Sequence, residues 1–188
     1  MAISKLDEME LLLSILDKQQ LCDFIREECM NDRYLMDRFL ALGAGTIYTP
    51  KSTDYQRRIK EIISDFEGRD GFVSYNRTFD LNRAISRIID EADAAMYNQQ
   101  WEVAVSVLEA VATTGEDIIY CGDDSAGELG DIVRQCFEKW YELSIDDSLP
   151  PTMSSKIFEL SLTHFAEGCL KGFDWWWDWV QIAILLAD

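Results

Sequence analysis

The stretch of sequence that decides the fold is NQQWEVAVSVLEAVATT, residues 98–114. Its apolar residues recur at the helical period on two different sides of the segment. One stripe carries Trp101, Ala104, Val105, Leu108 and Ala112, and the other carries Val103, Val107 and Ala110. A helix with two apolar stripes is buried between neighbours on both sides. The segment therefore predicts a layered stack of helices.

The helical period recurs along the rest of the chain, and no convincing strand interrupts it. Together these segments predict an all-α fold of about nine helices. The predicted helices are Lys5–Leu16, one from Asp17 through Cys29, one around Leu35–Leu42, one from Pro50 through Phe66, Thr78–Tyr97, Trp101–Thr114, one from Ser125 through Tyr141, Thr152–Glu167, and a last one from Asp174.

The connections between these helices are short, which favours antiparallel neighbours. We expect either a tetratricopeptide-like α-solenoid or a compact helical bundle, because sequential pairs suggest a solenoid but the repeats are too degenerate to fix a period. The 188 residues suit a single helical domain, 1–188, within which 1–50 and 51–188 are candidate sub-halves.

Three helix starts carry capping signals. Asp17 precedes the second helix as an N-cap, and Thr53 with Gln56 has the spacing of a capping box. Ser125 with Glu128 repeats that spacing. Between the fourth and fifth helices lies the loop GRDGFVSYNRT, residues 68–78, in which we expect Phe72 and Tyr75 to anchor the loop to the core.

Composition excludes several classes of protein. The net charge is −18, and it is concentrated in residues 101–188, which carry 17 acidic and 4 basic side chains. This balance argues against binding to nucleic acid or to an anionic membrane surface. Five cysteines without a Cys-x-x-Cys pair indicate reduced thiols in a cytoplasmic protein. The longest apolar run is too short and too interrupted to span a bilayer.

That apolar run is DWWWDWVQIAILLAD, residues 174–188, in which only Asp178 and Gln181 are polar between Trp175 and Ala187. Either it packs inside the fold or it binds another molecule. All four tryptophans, Trp175, Trp176, Trp177 and Trp179, are candidate interaction residues. Trp175 and Trp179 share a helix face, so we expect both to pack on the preceding helix. Trp176 and Trp177 point elsewhere and are the candidates for a partner site, including self-association, although core closure explains the same rings.

A second candidate surface is basic. Its members belong to a cluster of lysines and arginines between residues 51 and 87, which suits an acidic partner or the acidic half of the chain itself, although solvated helix faces are the commoner explanation. The candidate interaction residues in this cluster are Arg57, Arg58, Arg83 and Arg87.

No pattern predicts a catalytic residue, a metal site or a cofactor. The run DDSAGE, residues 123–128, lacks the alternating oxygens of a calcium loop and is better explained by capping at Ser125. His164 has no discernible triad partners, and Cys22 and Cys29 are more typical of core positions than of metal ligands. Acidic neighbours should raise the pKa of Cys121 and blunt its reactivity.

One resemblance to a known family covers most of the chain. The segment GFVSYNRTFDLNRAISRIIDEADAAMYNQQWEVAVSVLEAV, residues 71–111, is followed by DDSAGELGDIV, residues 123–133. Together with LDKQQLCDFIREECMNDRYLMDRF, residues 16–39, these stretches resemble a helical region of bacterial SWIM zinc-finger proteins and related uncharacterised helical proteins. The resemblance implies a tetratricopeptide-like interaction scaffold. It does not bring the zinc site, because the chain lacks the Cys-x-Cys and Cys-x-His pairs of that finger.

The sequence therefore favours a non-enzymatic protein-interaction scaffold or adaptor that binds another protein. Two alternatives stay open. One is a small acidic regulator or inhibitor that acts by charge mimicry, and the other is an enzyme with a cryptic site of scattered carboxylates.

Overall fold

The computed structural model describes residues 4–42 and 49–187. The all-α fold is confirmed, with ten α-helices and two isolated β-bridges in the described residues. The chain divides into two compact units, Met1–Leu42 and Gly43–Asp188.

The first unit holds three helices, α1 (Lys5–Ile15), α2 (Lys18–Asn31) and α3 (Arg33–Leu42). The predicted N-cap at Asp17 is confirmed, because its carboxylate accepts the Gln20 N–H at 2.8 Å and the Gln20 side chain accepts the Asp17 N–H at 3.0 Å. α2 packs against α3. In α2, Cys29 is buried but Cys22 is exposed, so the prediction of a core position is wrong for Cys22.

The second unit is built from seven helices. They are α4 (Ser52–Phe66), α5 (Tyr75–Tyr97), α6 (Trp101–Thr113), α7 (Gly115–Tyr120), α8 (Glu128–Ser144), α9 (Pro151–Glu167) and α10 (Asp178–Leu185), the last preceded by a 3₁₀ turn, Asp174–Trp176. The short helix α7 was not predicted, and the single tryptophan helix was predicted wrongly. The 3₁₀ turn separates Trp175 and Trp176 from α10, which begins at Asp178.

Packing in this unit follows successive helix pairs. α5 and α6 pack on each other across the turn Asn98–Gln100, and α9 packs on α10. Contacts also join helices that are not neighbours in the chain: α4 contacts α6, α5 contacts α8, and α6 contacts α9. These contacts join the helices of the second unit into one packed layer after another, with α6 in contact with helices on several sides.

α6 occupies the centre of the stack, as its two apolar stripes predicted. It contacts α4, α5, α8 and α9, and nine of its thirteen residues are buried. Ala104, Ala110 and Ala112 are fully buried, and their small side chains allow the neighbouring helices to approach closely.

Two predicted capping boxes are wrong. At α4 the cap is formed by Asp54, whose carboxylate accepts the Lys51 N–H at 3.1 Å, while Gln56 donates to Thr113 on α6 at 2.8 Å. The Gln56 side chain therefore binds α6 and does not cap its own helix.

At α8 the predicted Ser125 cap is replaced by Asp124. Gly127 adopts a left-handed φ of 79° at the N-cap, and this turn brings the Asp124 carboxylate within 2.7 Å of the Leu129 nitrogen and 3.0 Å of the Gly130 nitrogen. The Ser125 hydroxyl donates instead to Asp123.

The loop before α5 is anchored by a residue that the sequence analysis passed over. Val73 is fully buried, its N–H donates to the Cys121 carbonyl at 2.8 Å, and its own carbonyl accepts the Asp123 N–H at 3.0 Å. The predicted anchors Phe72 and Tyr75 are 44% and 56% exposed. That prediction is wrong because one short β-bridge, Val73 with Gly122, fixes the loop and turns its neighbours outward.

Candidate functional site

The four C-terminal tryptophans occupy three different environments around the start of α10. Trp179 is fully buried and packs edge-on against Phe137 and Trp140, with ring centroids 5.0 and 5.8 Å away. The imidazole of His164 lies on the same ring at 4.9 Å. Trp179 therefore closes the core between α8 and α9, as expected for a ring that packs on the preceding helix.

Trp175 is half-buried in the 3₁₀ turn. Its ring stacks near Phe173 at 5.9 Å and approaches Gly130 on α8. The start of α10 is fixed beside it by the Tyr141 hydroxyl, which donates to the Asp178 carboxylate at 2.6 Å. Burial raises the pKa of Asp178 above its ordinary value, and burial with the Asp178 contact raises the pKa of Tyr141 as well.

Trp176 is held from three sides and is half-buried. Its ring stacks on Phe165 at 4.7 Å with an interplanar angle of 11°, and its indole N–H donates to the Phe165 carbonyl at 3.0 Å. The Lys171 ammonium also lies over this ring, 5.7 Å from its centroid. Trp176 is therefore a support for the rings around it.

Trp177 is the ring that reaches solvent. It contacts Trp176 at 5.0 Å and Phe165 at 5.6 Å, yet 58% of the residue is exposed. The sequence analysis singled out Trp176 and Trp177 together, and the structure separates them: Trp177 is open and Trp176 is mostly covered.

Three further apolar side chains are exposed on α9 and α10. Trp177 is the N-cap residue of α10 and has helical backbone angles, so the side chain of Ile184, seven residues later, lies on the same side of the helix. Ile184 is 61% exposed. Leu185 and Leu162 are 45% and 43% exposed, and Leu162 lies one turn before Phe165 on α9. We name this set, Leu162, Trp177, Ile184 and Leu185, the terminal apolar surface. The aliphatic members of the terminal apolar surface were not predicted from the sequence, although the i, i+7 spacing from Trp177 could have identified Ile184.

The predicted arginine surface is only partly available. Arg58 is held by both carboxylate oxygens of Glu91, at 2.7 and 3.1 Å, and Glu91 is 5% exposed. Arg57 pairs with Asp54 at 3.3 Å, and Arg83 lies over the ring of Phe79. Arg57, Arg83 and Arg87 are exposed, whereas Arg58 is a structural contact between α4 and α5.

A cleft of about 560 Å³ opens where α6 and α9 begin. Its walls come from the α5–α6 turn, the first turns of α6 and α9, and Thr49 before α4. Gln99 in that turn has a φ of 56°, which is uncommon for a residue other than glycine. Among the described residues that line the cleft, Glu102 is the one that carries a charge. An enzyme of the kind considered above would need two carboxylates that converge in a cleft. The described lining of this cleft contains one, that of Glu102.

The side chain of His164 projects from α9 toward α6 and is largely buried. Its Nε2 is 3.3 Å from the Glu109 carboxylate and its Nδ1 is 3.9 Å from that of Glu167, while the ring rests on Trp179. One turn earlier on α9, the Ser161 hydroxyl is fully buried and makes no hydrogen bond to the described residues. The histidine thus joins two helices of the stack, as expected for a packed residue.

The cysteines of the second unit are poor nucleophiles. Burial, with help from the Glu67 charge, raises the pKa of Cys121 to about 11, and burial raises the pKa of Cys169 to about 11. Burial also raises the pKa of Cys136, whose thiol contacts the Leu108 carbonyl at 3.3 Å. In residues 4–42 and 49–187, no cluster of three or more histidine, cysteine or acidic side chains is arranged to hold a metal ion.

Comparison with known proteins returned no match: neither a family model, nor a curated protein, nor a solved structure is similar to this chain. The resemblance to the helical region of SWIM zinc-finger proteins therefore stays a prediction. Over the described parts of the chain, none of the helices combines the length and the apolar character needed to cross a membrane.

Proposed function

We propose that this chain is a helical protein-interaction module and that it binds a partner protein through the terminal apolar surface. The observation that carries the proposal is the exposure of Trp177 and Ile184 on the outer face of α10. In stacked helical repeats the outermost helix normally presents a polar face to water. Here that face carries Trp177 and Ile184, with the exposed Gln181 between them, and tryptophan is among the residue types most enriched at binding hot spots.

The support beneath Trp177 also favours a binding role. Its ring is held by Phe165 and Trp176, and Trp176 is itself fixed by a hydrogen bond and by Lys171. An exposed aromatic anchor that rests on two other rings, one of which also contacts a lysine, fits an apolar segment of a protein that carries an acidic group at its edge.

The test compares the wild type with Trp177→Ala and Ile184→Ser in affinity capture from the native host, read by mass spectrometry. We expect a specific protein to be captured by the wild type and reduced at least about tenfold by either substitution, because a central hot spot contributes 2 kcal/mol or more. Both side chains are exposed, so circular dichroism and melting temperature should change little.

Tyr97→Ala provides the matched control. Tyr97 ends α5, is 90% exposed, and belongs to a different part of the second unit. The proposal fails if the variants at Trp177 and Ile184 capture the same proteins as the wild type, or if Tyr97→Ala reduces capture equally. Light scattering of each purified variant separates a foreign partner from self-association through this surface. Charge mimicry and cryptic catalysis remain alternatives, and each predicts capture that is indifferent to Trp177.

A further inference from the structure

The N-terminal helix α1 exposes apolar side chains around most of its circumference. None of its residues is buried. The large apolar side chains from Leu6 to Leu16 are between 37% and 68% exposed, and they are Leu6, Met9, Leu11, Leu12, Leu13, Ile15 and Leu16. Within the first unit, the described residues 4–42 thus leave these side chains exposed. A helix that is apolar on most sides is stable in water when another surface covers it.

The spacing along α1 is that of a coiled coil. Leu6, Met9, Leu13 and Leu16 are separated by three, four and three residues, which are the a, d, a and d positions of a heptad. The first three lie within the helix and Leu16 is its C-cap residue. A seam of this kind fits a second helix with the same pattern.

The charged residues beside this seam indicate which helix can pair with α1 and whether the pair is parallel or antiparallel. In the same register Lys5 occupies a g position and Glu10 the following e position, and both side chains are exposed. In a parallel pair, g of one helix faces the next e of the other. Two copies of α1 would then form two symmetric Lys5–Glu10 pairs. An antiparallel pair would bring e positions together, and the two Glu10 side chains would repel.

We propose that α1 pairs in parallel with α1 of a second copy of this chain. The contact consists of the Leu6, Met9, Leu13 and Leu16 seam, flanked on each side by an ion pair between Lys5 and the partner's Glu10. Because α1 has 11 residues, which is short for an isolated helix, the association is weak and is seen as a concentration-dependent dimer.

The test is sedimentation velocity of the full chain over a wide concentration range. Lys5→Glu and Glu10→Lys each place like charges opposite one another in the homodimer, so each should weaken self-association several-fold. A mixture of the two variants restores both attractive pairs and should associate as the wild type does. The double variant, Lys5→Glu with Glu10→Lys, should also recover.

Glu8→Lys is the matched control, because it makes the same charge change at a c position, away from the seam. Wild-type association that is unaffected by Glu8→Lys and recovered in the mixture supports the proposal. A monomeric wild type, or a mixture that associates no better than its components, would overturn it. Trp177→Ala distinguishes the two interfaces: loss of the dimer in that variant, with no effect of the α1 charges, assigns self-association to the terminal apolar surface instead.

Discussion

The ion pair between Arg58 and Glu91 allows a quantitative test of how α4 is held on α5. Replacing Glu91 with Ala removes two hydrogen bonds, of 2.7 and 3.1 Å, from the Arg58 guanidinium. Removing one partner of a buried pair costs about 3–5 kcal/mol. The Arg58 side chain is 22% exposed, so water can reach it and the cost should fall below that range, to about 2–3 kcal/mol.

Urea unfolding read by tryptophan fluorescence measures this free energy. All six tryptophans lie between residues 101 and 179, so the signal reports on the second unit. A cycle of Glu91→Ala, Arg58→Ala and the double variant should give a coupling energy of about 1–2 kcal/mol. The adjacent Arg57→Ala removes an exposed pair with Asp54 and should cost less than about 1 kcal/mol. The reasoning is refuted if Glu91→Ala costs under about 1 kcal/mol, or if Arg57→Ala costs as much as Arg58→Ala.

Two further predictions concern the bridge at Val73 and the start of α10. A Cβ at Gly122 would lie 2.7 Å from the Val73 carbonyl oxygen, so Gly122→Ala should destabilise the second unit by about 1–3 kcal/mol in urea unfolding. Gly127→Ala, where a left-handed φ but no close atom opposes the methyl group, should cost less, and an equal cost would contradict the steric argument. Burial raises the pKa of Asp178 above 3.8, so folding favours its protonated form, and this contribution is lost as pH rises through the folded-state pKa. Asp178→Asn, which can still accept from Tyr141, should therefore gain stability relative to the wild type as pH rises above 3.8, and a pH-independent difference would argue against it.

The helical period predicted most of the fold because it reports on burial, which is what stabilises these helices. The two stripes of residues 98–114 correctly placed α6 in the centre of the stack. The helix starts were harder to predict. Thr53 with Gln56 and Ser125 with Glu128 have the right spacing, but Gln56 binds Thr113 and Asp124 reaches the start of α8 through a left-handed Gly127. Such contacts depend on the tertiary arrangement.

The same limit applies to the candidate surfaces. The sequence pattern can name candidate residues, but whether each is exposed depends on contacts with residues far away in the sequence. Trp177 could be named as a candidate from the sequence, together with Trp176, because the helical step turns both away from the face that Trp175 and Trp179 share. Which ring would be open depended on the break between the 3₁₀ turn and α10, and that break depends on contacts with α8 and α9. Likewise, the pairing of Arg58 with Glu91 joins residues 33 positions apart, which helix periodicity cannot reveal.

The stack beneath Trp177 has a consequence for the entropy of binding. A flexible side chain that becomes fixed in an interface loses about 0.5–1.5 kcal/mol of rotamer freedom. Trp177 already rests on Phe165 and Trp176 before any partner arrives. Much of that loss is thus incurred when the chain folds rather than when the complex forms. A partner that covers this ring meets a preorganised anchor, so weakening the stack at Phe165 should lower affinity even though Phe165 is itself half-buried.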